Sequence, residues 1–310
     1  MNQSIILHHY AGSPYSEKIR LMFGFANIRW FSLLSPEQPP RPNLDPLAGG
    51  YRRIPVAQIG SDIFCDTSLI AKELSETAQS AALSPTMLRN NELALLEQSE
   101  TVAAFAALNA VPPYRLMGSV FRSLGLKGAF RLIIDRQSAF SDGAMRQPKH
   151  REAKKLFHAY LLALENKLQE QSWAGGDSPS YTDFASYHPI WCYHYYGGKP
   201  LILGPNLNRW FQSVGEFGHG NRCEIEQTDA LDVARSSEPR ALPDSIIDAS
   251  PTIGTTASVA PVDYCVSPVT GTIVAMTMER IILARESTDF GTLHIHLPRA
   301  GYSVTKMHRE

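Results

Sequence analysis

The sequence predicts three fold classes in succession: an α/β unit, an all-helical unit and a small all-β unit. Three observations lead there. Strand and helix signals alternate up to about residue 80. Helical periodicity alone runs through roughly 86–217. Short β-branched runs separated by turn residues fill 259–310. With 310 residues, 44% hydrophobic and 19% charged, the chain fits two or three globular domains with real cores. The expected limits are 1–80, 86–217, a linker at 218–258, and 259–310.

In the first unit, Ile5-Ile6-Leu7-His8-His9-Tyr10 reads as a strand broken by Ala11-Gly12-Ser13-Pro14. Tyr15, Ile19, Met22, Phe23 and Ala26 then recur at helical spacing. Ser13 suits the N-cap, and Pro14 suits the first helical position, where its fixed φ and missing N–H do no harm. Arg29-Trp30-Phe31-Ser32 reads as a second strand, followed by a proline-rich loop. Pro55-Val56-Ala57-Gln58-Ile59, a Gly60-Ser61 turn and Asp62-Ile63-Phe64-Cys65 predict a β-hairpin. Asp66 or Thr67 caps the next helix. The order is β-α-β, then β-β-α.

The second unit has one stripe at Leu88, Leu95, Ser99, Val102 and Ala106, and another at Phe157, Tyr160, Leu161, Leu164 and Leu168. Val111-Pro112-Pro113-Tyr114 must interrupt or end a helix. Ser180-Tyr181-Thr182-Asp183 has capping-box spacing, with Asp183 in place of the usual Glu. Residues 218–258 are rich in Ser, Pro, Asp and Thr and read as a linker. Beyond it, runs at 271–275, 280–283, 293–297 and 302–304 predict a small barrel or a strongly twisted sheet.

Composition excludes several functions. The formal net charge of -1 argues against a nucleic-acid binder, which needs a basic surplus. The 4 cysteines, with no C-x-x-C, argue against a disulfide scaffold or zinc site. No apolar run reaches the roughly 18 residues of a membrane span, and the N-terminus lacks a leader's basic and apolar regions. A cytoplasmic protein is expected.

A helix start presents unpaired N–H groups and partial positive charge, which stabilise an anion. A free thiol has a pKa near 8.5, so a thiol placed at Ser13 would hold more thiolate, helped by a hydrogen bond from the hydroxyl. Thr67 or Ser68 offers a second such place for a carboxylate, with Asp66 able to accept from an ammonium. Ser13, Asp66 and Thr67 also satisfy the plainer role of caps, worth about 1 kcal/mol each. The two roles are compatible.

Tyr10 to Arg20, Ile54-Pro55-Val56 and Asp66-Thr67, in that order, resemble the N-terminal domain of the cytosolic glutathione transferases. The helical stretch with Ser180-x-x-Asp183 is similar to their second domain, and the resemblance covers residues 4 to 217. It implies a thioredoxin-like fold followed by a helical bundle, glutathione as a substrate, no metal, and a homodimer. It implies that Ser13 stabilises the glutathione thiolate, with Tyr10 as the competing hydroxyl. Ile54 would pair with the cysteinyl backbone beside a cis Pro55, and Asp66 and Thr67 would hold the γ-glutamyl end. Ser13-x-x-Ser16 stands where thioredoxin relatives carry Cys-x-x-Cys, so dithiol exchange on this motif is not available. Tyr114, Met117 and Phe121 are candidates for the wall of an apolar electrophile's pocket, or for ordinary packing. Asp-Thr replaces the commoner Glu-Ser pair, and the third unit matches nothing in the usual layout. A non-catalytic interaction or ligand-binding protein of the same fold is therefore the second reading.

Of the histidines, His8 and His9 alternate along a strand, so one ring is expected packed and one solvated. His294 and His296 share a strand face, compatible with a metal pair that lacks a third ligand. The run His188, Trp191, Tyr193, His194, Tyr195 and Tyr196 reads as helix packing, with a substrate pocket as the alternative. The β unit lacks a basic stripe and reads as a stability or interaction module, docked on its own chain or on a dimer partner.

Overall fold

A computed structural model describes residues 4–141, 143–197, 201, 204–247 and 251–307. The first unit runs β1 (Ile6–His9), α1 (Pro14–Ala26), β2 (Arg29–Leu34), α2 (Asp45–Ala48), β3 (Val56–Ile59), β4 (Asp62–Cys65) and α3 (Thr67–Thr77). β1 pairs parallel with β2 and antiparallel with β3, and β3 pairs antiparallel with β4. Ser13 caps α1 with its Oγ accepting from the Ser16 N–H at 3.2 Å, and Asn27 ends the helix in the left-handed region at φ 50. Asp66 caps α3 through the Ser68 N–H at 3.0 Å. The Ile54–Pro55 peptide bond is cis.

The second unit contains α4 (Asn90–Glu97), a π-helical turn (Gln98–Ala103), α5 (Ala104–Ala110), α6 (Pro113–Ala139), α7 (His150–Glu170), α8 (Tyr181–Gly197) and α9 (Pro205–Gly215). The break at Pro112-Pro113 falls between α5 and α6. The first expected stripe needs correction at Val102, which is 42% exposed while Ala103 is buried. The π turn takes an extra residue per turn and so moves the inward face by one position. In the second stripe Phe157, Tyr160, Leu164 and Leu168 are buried as expected.

The stretch expected as a linker carries regular structure. β5 (Asn221–Glu224) adds to β2 in parallel, and α10 (Gln227–Arg235) follows it. β5 is a charged edge strand with no alternation, and α10 buries only Ala230 and Ala234, so neither leaves an apolar signature. Among the described residues there, 218–220, 225–226, 236–247 and 251–255 lack helix and strand. The Gln58 amide donates to the Ala230 carbonyl at 2.8 Å, fixing α10 over the sheet. That cover closes over the His8 face of the sheet, while on the opposite face His9 is enclosed by Arg20 of α1 at 3.0 Å and by the Trp30 ring at 5.7 Å, which corrects the histidine expectation. His8 and His9 are both fully buried, bonded to Gln58 at 3.0 Å and Ser32 at 2.9 Å.

The last unit is a meander of β6 (Thr256–Pro261), β7 (Val269–Met276), β8 (Arg280–Ser287) and β9 (Gly291–Pro298), with β10 (Tyr302–Lys306) crossing back to pair antiparallel with β6. It docks on its own chain. β9 pairs in parallel with β4, Asp62 opposite His294 and Phe64 opposite His296. All strands therefore join one sheet of order β10-β6-β7-β8-β9-β4-β3-β1-β2-β5. Charge reinforces the seam. Asp62 accepts from the Arg240 N–H at 2.9 Å and bonds His296 at 2.7 Å, while Glu73 pairs with Arg240 at 3.0 Å and Arg280 at 2.8 Å. The five strands curl over the first unit until the Tyr302 and Tyr51 hydroxyls meet at 2.8 Å. Among the described residues, no helix is long and apolar enough to cross a membrane.

Candidate functional site

The turn between β1 and α1 is held from below. Arg20 donates to the Tyr10 and Ala11 carbonyls at 3.2 and 3.0 Å, and Glu17 pairs with Arg20 at 2.7 Å. Tyr196 donates from above to the Gly12 carbonyl at 2.9 Å. Ser13 is thereby fixed at the start of α1, where the capping bond uses a lone pair of its Oγ and leaves the O–H free to donate. Burial pushes the Tyr10 phenol up, against the nearby Arg136 and Arg41, and Tyr10 lines the same cavity as Ser13. The two candidate hydroxyls are thus neighbours.

Asp66 and Thr67 stand at the start of α3. Asp66 Oδ1 is used by the cap, while Oδ2 lies 4.0 Å from Arg53 and accepts from Tyr302 at 3.5 Å. Thr67 Oγ1 accepts from the Lys18 ammonium at 2.7 Å, which leaves the threonine O–H as a donor. Lys18 is fully buried and also reaches Glu100 at 2.6 Å and Tyr181 at 3.2 Å. Burial works against its charge, but Glu100 and Tyr181 outweigh it and hold its pKa above the ordinary lysine value.

Two cavities meet at this cleft. One, of about 510 Å3, is lined by Asp66, Thr67, Arg53, Ile54 and Pro55. The other, of about 770 Å3, is lined by Ser13, Tyr10, Arg53 and Ile54, with Met117 and Val120 of α6 on its far side. Ile54 thus borders both. Asp66 and Thr67 therefore lie on one side of Ile54 and Ser13 on the other. Of the three electrophile-pocket candidates, Met117 is on the wall. Tyr114 and Phe121 are not, and they are 73% and 40% exposed. The wall takes Leu116, Met117 and Val120, so it occupies the helix face adjacent to the one expected.

Sequence reasoning missed Lys18, Arg53, Glu100 and Tyr264, all of them at this site. Lys18 has a signal, since it falls between Tyr15 and Met22 on the apolar stripe of α1. Tyr264 has none, because it arrives from a loop of the last unit. Among the described residues no three His, Cys, Asp or Glu side chains are grouped to hold a metal. Most of the aromatic run on α8 packs against neighbours, Tyr193 on Phe157 at 5.3 Å, His194 on Phe211 at 5.1 Å and Trp191 on Tyr195 at 4.8 Å, while Tyr196 borders the larger cavity.

Known proteins resemble this arrangement. The sequence profile described as "Glutathione S-transferase, N-terminal domain" matches residues 7–82, and that of the "Glutathione S-transferase, C-terminal domain" matches 127–216. The crystal structure of a GST-like protein from Pseudomonas syringae is 28% identical with a TM-score of 0.71, over 97% of this chain and 98% of its own. That likeness runs through the C-terminal strands. A glutathione S-transferase from Rhodospirillum rubrum F11 is 18% identical over 68% of this chain and 87% of its own, with a TM-score of 0.47. FzlA from C. crescentus is 18% identical over 76% and 94%, with a TM-score of 0.48. No curated protein matches the chain. With a thioredoxin-like unit, a helical bundle and both family profiles in register, the chain belongs to the glutathione transferase family and carries an additional C-terminal sheet.

Proposed function

We propose that this protein is a glutathione transferase that activates the glutathione thiol for attack on a small apolar electrophile. The observation that carries this reading is Ile54 bordering both cavities, with Asp66 and Thr67 on one side and Ser13 on the other. Glutathione would lie along Ile54 and Pro55. Its γ-glutamyl ammonium would meet Asp66, and its carboxylate the Thr67 hydroxyl and Arg53. Its sulfur would lie at the start of α1, where the Ser13 O–H and the helix N–H groups favour thiolate. The apolar side of the larger cavity would hold the electrophile. Substitution then forms a C–S bond, releases the leaving group, and gives the thiol proton to solvent. Orientation and thiolate stabilisation are the catalytic terms. A homodimer in the cytoplasm belongs to the same proposal, and light scattering reads the first part directly.

Calorimetric titration with millimolar glutathione, followed by an aryl halide conjugation assay, tests the reading. In Ser13→Ala we expect conjugation to fall about 10²–10³-fold, the cost of losing one donor to a reacting anion, with circular dichroism unchanged. Full activity in that variant and loss in Tyr10→Phe would transfer the role to Tyr10. The second reading, a non-catalytic binding protein, draws on the polar groups already engaged at Asp66 and Thr67. Absence of glutathione binding would favour it.

A further inference from the structure

α6 follows the Pro112-Pro113 break and is itself kinked. Gly125 has φ 66 and ψ -179, a conformation that glycine tolerates and that breaks the helix. The kink divides α6 into two arms. Both contribute to one buried cluster of Val120, Ala129 and Leu132, with Leu116 and Leu124 packed on it. Leu116, Val120 and Leu132 also line the larger cavity. The inner side of α6 is thereby occupied.

The outer side is not. Leu126, Phe130 and Ile134 recur every four residues and are 79%, 66% and 52% exposed. Residues four apart share one helix face, so these side chains form an apolar row in water. Neither they nor Phe121 of the first arm lines either cavity of the cleft. Phe121, Leu126 and Phe130 are each followed by an exposed cation, Arg122, Lys127 and Arg131. α6 holds five Lys and Arg against one carboxylate, in a chain whose formal net charge is -1. That carboxylate, Asp135, is taken by Arg52 at 2.6 Å.

A row of exposed large apolar side chains marks a contact surface, and the flanking cations select a partner of opposite charge. A second copy joined by two-fold symmetry would set this patch against itself, cations facing cations with no unpaired carboxylate on the helix to answer them. An anionic lipid surface answers both features. The apolar row enters the boundary between headgroups and acyl chains, and the cations meet the lipid phosphates. We propose that α6 docks this protein on an anionic lipid surface, with Leu126, Phe130 and Ile134 inserted and Arg122, Lys127 and Arg131 at the phosphates. A helix of this kind lies in the interface and does not span it, in keeping with the lack of a membrane-crossing helix among the described residues. The docking is independent of the glutathione reading.

The test is co-sedimentation of the full-length protein with phosphatidylcholine vesicles, with or without about 30% phosphatidylglycerol, at about 0.1 M salt. Wild type is expected to sediment with the anionic vesicles, to stay in solution with the neutral ones, and to be released as salt rises. Lys127→Ala with Arg131→Ala is expected to weaken binding about 20-fold, roughly fivefold for each cation at the surface. Leu126→Ser with Phe130→Ser is expected to weaken it about tenfold or more, since two apolar side chains no longer leave water. All four side chains are exposed, so circular dichroism should be unchanged in both variants. Wild type that ignores anionic vesicles, or binds neutral ones equally well, overturns the proposal, as does full retention of binding by either double variant. A wild-type dimer that light scattering finds dissociated by Leu126→Ser with Phe130→Ser, in a protein that does not bind vesicles, would give this face to a second copy instead.

Discussion

Lys18 occupies a position on α1 where an apolar side chain would ordinarily pack. Its ammonium ties α1 to Thr67 of α3, to Glu100 of the π turn and to Tyr181 of α8. Breaking a buried pair by removing one partner leaves an uncompensated charge and costs about 3 kcal/mol or more. Lys18→Met should therefore lose about that much stability in urea unfolding. Lys18→Met combined with Glu100→Gln should recover more than half of it, because the stranded carboxylate is gone. The single variant should also weaken glutathione binding, since Thr67 loses the partner that orients its hydroxyl. Equal loss in the single and double variants would show that Glu100 was not the partner that mattered. At this scale the caps at Ser13 and Asp66 and the Ile54–Pro55 step before β3 were legible, since caps and a proline before a strand are local signals. Arg53 was hidden because its role is set by Asp263 and Tyr264, more than two hundred residues away.

Asp183 shows how one element start can organise a domain. Its carboxylate accepts from the Ser180 N–H at 2.9 Å, the Ala174 N–H at 2.7 Å and the Trp210 Nε1–H at 2.7 Å. It so joins the start of α8 to α9 and to the loop after α7. Burial raises its pKa and those donors oppose the rise. Asp183→Ala leaves two buried donors, the Ala174 N–H and the Trp210 Nε1–H, and the half-buried Ser180 N–H without an acceptor, at about 1–3 kcal/mol for each buried one. We expect at least about 2 kcal/mol of lost stability, read as a lower urea midpoint with an unchanged slope. A loss below about 1 kcal/mol would mean that water replaces the carboxylate. The carboxylate half of the expected capping box was legible because Ser180 and Asp183 lie within four residues, whereas the Ser180 hydroxyl donates to Glu92 and Asp183 instead of capping the Asp183 N–H. The π turn was not, since no single residue in Gln98–Ala103 announces an extra residue in the turn. Its trace appears only as Val102 facing outward.

On the scale of the whole molecule, histidines are buried from both sides, His8 beneath the Gln58–α10 contact, His296 at the β4–β9 seam, and His9 within the first unit against Arg20 and Trp30. Burial draws the pKa of His8 down to about 4 and that of His9 to about 3, with Arg20 adding to the second, and it lowers His296 as well. An unfolded histidine titrates near 6.5. The unfolded state therefore binds more protons below that value, so stability is fully present above pH 6.5 and is lost as pH falls toward 4. For His8 alone the loss between pH 7 and pH 5 is about 2 kcal/mol. Urea midpoints at the two pH values check this, and the drop should be smaller in His8→Asn. A midpoint independent of pH would mean that these rings are open to water. The three-unit order was readable from periodicity. The merging of the first and last units into one sheet was not, because strand partners remote in sequence leave no periodic mark.

The pairing of β4 with β9 also has a consequence for synthesis. β4 lies near the beginning of the chain and its neighbour near the end, Asp62 opposite His294. On the ribosome the first unit emerges with both sheet edges unpaired and one face bare, and it waits for most of translation before β5, α10 and β9 arrive. An open edge of this kind invites pairing with other chains. A chain ending at residue 217 is expected to appear largely in the insoluble fraction, and co-expressing residues 218–310 as a separate polypeptide should return part of it to solution. The additional sheet would then act as the first unit's late-arriving chaperone as well as its permanent neighbour.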